Sequence, residues 1–74
     1  MNATTKAIID RLPKKPILAP GDISAAFGMA STNPILADIK AGRLAANVVG
    51  GKYYIAREEA VRYIESTEFK ADEA

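Results

Sequence analysis

From Pro20 to Ile64 the chain passes through a helix start, a glycine turn, a second helix start and stop, a Gly-Gly hairpin and a last amphipathic stretch. This order constrains the fold more than any other feature, because each signal has a local physical cause. Pro20 suits the first position of a helix, where its missing N–H costs nothing. Ile23, Ala26 and Phe27 recur at spacings of three and four and so share an inward face. Gly28 offers the positive φ that closes such a helix, with Met29 folding back as an apolar plug. Ser31, Thr32 and Asn33 are all good caps, and Pro34 follows directly, which makes Asn33 the expected cap of the second helix. That helix runs through Ile35, Leu36 and Ile39 to Ala41, and Gly42 is its left-handed terminus. Ile35 and Ile39 should face the core, leaving Thr32, Ala37, Lys40 and either Leu36 or Asp38 nearer the outside.

After Gly42 the period changes from helical to extended. Leu44 anchors the exit, and Ala45 to Val49 with Tyr53 to Ile55 flank Gly50-Gly51-Lys52, a strong tight-hairpin signal. Val49, Tyr53 and Ile55 are expected to close over the helices. Lys52 at the tip and Tyr54 on the opposite face stay free for a partner. Arg57 to about Ser66 reads as a last helix with Glu58 and Glu59 near its positive end and Ala60, Tyr63 and Ile64 facing inward. Upstream, Ala3 to Leu12 forms a short helix with Thr4 or Thr5 as its cap and Ile8, Ile9 and Leu12 on one stripe. Pro13 ends it, and Pro13-Lys14-Lys15-Pro16 is either a basic strap over a partner or a solvated linker. The chain thus divides into an N-terminal helix and strap (residues 1–16), a main domain (17–66) and a flexible acidic tail (67–74).

Length and composition exclude several classes of function. A chain of 74 residues holds one small domain. With no Cys and no His, thiolate and imidazole metal sites and His-based catalysis are absent, and no paired carboxylates or nucleophile with its base suggest an enzyme. No catalytic residue, metal or cofactor is expected. No apolar run suffices for a membrane span, and the N-terminus lacks a signal-peptide core, so the expected location is cytoplasmic, or nucleoid-associated if DNA is bound. The net charge of +1 conceals an asymmetry: residues 1–57 carry eight Lys and Arg against three Asp, and residues 58–74 carry two against six acids. A positive body with an acidic tail suits a polyanionic partner.

Residues 18–64 resemble the excisionase and MerR-type winged helix-turn-helix family. The likeness rests on Pro20, Gly28-Met29, Gly42-Arg43-Leu44, Gly50-Gly51-Lys52-Tyr53-Tyr54-Ile55 and Tyr63-Ile64, five pieces in family order. It implies a mainly α fold with a small β-hairpin: three to four short helices plus a two-stranded wing. It also implies binding of double-stranded DNA, the second helix in a major groove and the hairpin on neighbouring backbone. By position, the base-reading face would be Thr32, Asn33, Leu36, Ala37 and Lys40, and the phosphate contacts Ser31, Arg43, Lys52 and Tyr54. The helix departs from the family pattern in offering only Lys40 as a cation beside an acidic Asp38.

Two classes of function follow. One is a small DNA-binding protein of excisionase or transcriptional-regulator type, phage or mobile-element encoded, acting in transcription regulation or DNA recombination beside neighbouring copies of itself or a recombinase. The other is a phage-type inhibitor or adaptor that uses the same scaffold to bind a protein.

Overall fold

Both internal helix stops use the same pair of backbone hydrogen bonds around a left-handed glycine. At the first, Gly28 (φ 80°) donates to Ala25 O at 3.0 Å and Met29 donates to Ser24 O at 2.8 Å. At the second, Gly42 (φ 82°) donates to Ile39 O at 3.1 Å and Arg43 to Asp38 O at 2.9 Å. Each stop satisfies carbonyls that the helix end would otherwise orphan. A computed structural model describes residues 1–69 and places these stops within a mixed α/β chain of four helices and one three-stranded antiparallel sheet. The order is α1 (Ala3–Asp10), β1 (Ile17–Leu18), α2 (Pro20–Phe27), α3 (Asn33–Lys40), β2 (Asn47–Val49), β3 (Lys52–Ala56) and α4 (Arg57–Ser66).

Three helix starts differ in chemistry. The Asp22 carboxylate reaches back to the Ala19 N–H at 2.9 Å and holds the start of α2, with Pro20 in its first turn. At α1 the cap is Asn2, whose side chain accepts from the Thr5 N–H at 2.8 Å, and not Thr4 or Thr5. Thr5 is instead buried. The expected Asn33 cap of α3 is also displaced by one residue. Thr32 occupies the cap position, and the Ser31 hydroxyl accepts from the Asn33 N–H at 3.0 Å, so the helix begins at Asn33 itself.

The sheet has order β1-β3-β2, so the hairpin is one part of a larger unit than the expected two-stranded wing. Ile17 pairs with Ala56 and Leu18 with Ile55, and the Arg57 N–H extends the pairing to Pro16 O at 2.9 Å. The hairpin turn is the two residues Gly50 and Gly51, with φ of 57° and 77°, the conformation that tight two-residue hairpin turns require. Lys52 is therefore the first residue of β3, paired with Val49, while Val48 pairs with Tyr53. This register corrects the expected placement of Val49 over the helices. A shift of one residue moves a strand's side chain to the other face, and Val49 lies 63 % exposed beside Lys52.

Ile23, Ile35, Ile55 and Ile64 are fully buried, one from each of α2, α3, β3 and α4, with Leu12, Leu18, Leu44 and Ala60 around them. Removing such a side chain from water contributes about 1.5–3 kcal/mol apiece, which makes this cluster the main adhesive of so small a chain. Leu12 places the end of the α1 segment in the same core, and α1 packs against α2 and α4. The Phe27 and Tyr63 rings meet edge to face, their centroids 6.3 Å apart. Ile39, expected in the core, only packs partly against it.

Candidate functional site

Beside the core an open groove of about 560 Å³ runs between α3, the start of α2 and the sheet. Thr32 and Leu36 form its α3 wall, Lys52, Tyr53 and Tyr54 its β3 wall, and Ile17 with Lys15 close one end. Four expected contact residues, Thr32, Leu36, Lys52 and Tyr54, therefore share one concavity. Thr32 and Leu36 are half-buried on it, and Lys52 and Tyr54 are exposed. The groove is mostly apolar, since Ile17 and Tyr54 keep 49 % and 44 % of their surface exposed.

The remaining expected residues lie outside the groove lining. Ser31, Asn33, Ala37, Lys40 and Arg43 are all exposed. Asn33, Ala37 and Lys40 fall at spacings of four and three and so form one stripe along α3. Because Thr32 occupies the cap position and Ser31 supplies the hydroxyl, the Asn33 side chain makes no hydrogen bond among the described residues. Its carbonyl and amide stay available to a partner. Lys40 and Lys52 likewise make no ion pair among the described residues.

Asp38 and Arg43 are different. Arg43 donates to the Asp38 carboxylate through Nη2 at 2.8 Å and Nε at 3.0 Å, and the Tyr63 hydroxyl donates to the other carboxylate oxygen. The Tyr63 bond, and then Arg43, hold the Asp38 carboxyl below the usual carboxylate range against the opposing effect of desolvation. Burial, reinforced by the neighbouring Asp38 charge, pushes the Tyr63 hydroxyl up to about 12. The acid of α3 thus ties its helix to α4 and is compensated within the chain. Arg43 still leaves 67 % of its side chain exposed, so it serves this pair without being sealed off from solvent.

Lys15, Ile17 and Tyr53 also line the groove, beyond the contact residues expected from the sequence. Lys15 had a signal, the two lysines between prolines. Ile17 had none, because its place follows from a strand only two residues long. Among the described residues no helix is long and apolar enough to cross a membrane. No protein-family model, curated protein or solved structure matches the chain.

Proposed function

We propose that the chain is a small DNA-binding protein of excisionase or transcriptional-regulator type, built as a winged helix-turn-helix. In this reading α3 enters the major groove of a duplex, and the β2–β3 hairpin follows the neighbouring backbone. One observation carries it: the exposed stripe of α3 presents the Asn33 and Lys40 side chains without partners among the described residues, while Asp38 on the same helix is taken up by Arg43 and Tyr63. A helix whose acid is neutralised in place does not repel phosphate as an open carboxylate would. Asn33 suits bidentate pairing to adenine, and Lys40 and Lys52 suit guanine or phosphate. Ser31, Arg43 and Tyr54 would position the duplex, and Thr32, Leu36 and Ala37 would meet base edges or thymine methyls.

A second reading has its own support. The apolar lining of the groove, with Ile17, Leu36 and Tyr54 accessible, suits a protein segment held by an inhibitor or adaptor on the same scaffold. A mobility-shift titration on random duplex at two salt concentrations separates the readings. DNA binding predicts a shift that weakens steeply with salt, and no shift at high micromolar protein would leave the protein-binding reading standing.

A further inference from the structure

We infer that the Pro13-Lys14-Lys15-Pro16 strap and Arg57 form a second contact for backbone phosphate, engaged by the same duplex that meets α3 and the hairpin. The inference rests on the DNA-binding reading above and adds a site at the opposite end of the groove from the hairpin turn.

The strap is held in place. Arg57, the first residue of α4, donates its backbone N–H to Pro16 O at 2.9 Å and its Nε–H to Pro13 O at 3.1 Å, pinning both prolines from one residue. Two prolines further restrict the four-residue segment. Lys14 and Lys15 therefore project from a fixed backbone, and binding through them does not carry the entropy cost of ordering a loop. Lys14, Lys15, Pro16 and Arg57 line one shallow concavity of about 330 Å³. The remaining guanidinium nitrogens of Arg57 make no hydrogen bond among the described residues.

The neighbouring acids do not cancel this charge. Asp22 lies 3.7 Å from the Lys15 Nζ, yet that lysine side chain remains 57 % exposed. Glu59 is paired with Arg62 at 2.6 Å, Glu58 does not line the concavity, and Lys14 has no ion pair among the described residues. Lys15 borders both this concavity and the larger groove, whose other cation is Lys52. Lys52 on the hairpin side and Lys15, Lys14 and Arg57 on the strap side thus place cations on either side of the apolar groove. A train of separated positive charges fits a ligand that repeats its negative charge, as the phosphate backbone does every few ångströms. A single carboxylate would use only one of them.

The test compares two double variants of equal charge loss, Lys14→Ala with Lys15→Ala and Lys6→Ala with Arg11→Ala. Lys6 and Arg11 are exposed and line none of the three concavities. Binding of a random-sequence duplex of about 20 base pairs is measured by anisotropy between about 50 and 200 mM NaCl. The strap variant is expected to lower the salt slope by about 1.8, at about 0.9 per phosphate, and to weaken binding roughly tenfold or more at about 0.1 M salt. The control should change the slope by less than about 0.5, and Lys14→Arg with Lys15→Arg should keep the original slope. Thermal melts establish that all variants are folded. A strap variant that retains the parent slope, or falls no further than the control, overturns the second contact alone. A parent chain that binds no duplex overturns the DNA reading and this inference with it.

Discussion

Replacing Asp38 with Asn tests the link between the DNA-facing helix and the body of the protein. The carboxylate accepts from Tyr63 and from Arg43, and the amide that replaces it has one acceptor oxygen and a donor group. One of the two donors must lose its partner and face another donor. The Tyr63 bond is the costlier loss, because Tyr63 is only 6 % exposed and a hydrogen bond to a charged group contributes about 1.5–3 kcal/mol. The Arg43 pair is worth at most about 1 kcal/mol, since that side chain is 67 % exposed and screened by solvent. A total near 2 kcal/mol corresponds to a fall in Tm of about 8–16 °C for a chain of this size. Circular dichroism melts at neutral pH read this directly. The same melts in acid supply the sign: a carboxyl with a lowered folded pKa stabilises above its unfolded value of 3.8 and loses that contribution as pH falls through the folded pKa. The gap between parent and variant must therefore narrow in acid. Equal melting temperatures at neutral pH, or a gap of constant size down to strong acid, would refute the assignment. Tyr63→Phe should cost less in the Asp38→Asn background than alone, as expected for groups that share one bond.

Tyr63 also sets an alkaline limit: its hydroxyl is raised from 10.0 to about 12, so its contribution is complete below the unfolded value and is lost as pH rises through the folded one. Denaturant titrations across that window should show the fall in the parent, and in Tyr63→Phe this contribution should vanish. Gly28 has φ of 80° and open space where a Cβ would stand, so Gly28→Ala should cost about 1 kcal/mol from backbone strain alone and Gly28→Val more. A Val variant with the parent's urea midpoint would contradict that account. Lys40→Ala with Lys52→Ala should leave Tm unchanged and reduce the salt slope of DNA binding by about 1–2, measured by mobility shift. Asn33→Ala should alter stability by less than about 0.5 kcal/mol. Its effect should appear in selection from a randomised duplex pool, as about 1–3 kcal/mol less discrimination at one base pair.

The elements legible in the sequence are those with local causes. Pro20, Gly28 and Gly42 fixed the ends of α2 and the close of α3, because a missing N–H or a required positive φ acts within a few residues. The inward faces of α2 and α4 followed from their periodicity, as the burial of Ile23, Ala26, Ala60, Tyr63 and Ile64 bears out. What was misplaced depends on a count of one residue or on a distant partner. Taking the turn as three residues instead of two placed Val49 with Tyr53, whereas the observed register sets it opposite Lys52. The two residues of β1 are too few to show alternation, and only their pairing with β3 reveals them as strand.

Asp38 shows why the candidate site was the less legible part. Its neighbours in sequence made it an acid on an exposed helix, a liability beside phosphate. Its partners, Arg43 five residues on and Tyr63 twenty-five residues on, make it a clamp between helices. Those contacts exist only once the Gly42 turn has folded back and α4 has packed, so no local pattern announces them. The same folding step decides which polar groups remain for a partner: it occupies Asp38 and engages Arg43, and it leaves the Asn33, Lys40 and Lys52 side chains without partners among the described residues. A side chain's availability for recognition is thus a property of the finished packing, and mutations at Tyr63, which lies on another helix, should reach the α3 surface by freeing one carboxylate oxygen of Asp38 and leaving the Arg43 pair as its remaining tie.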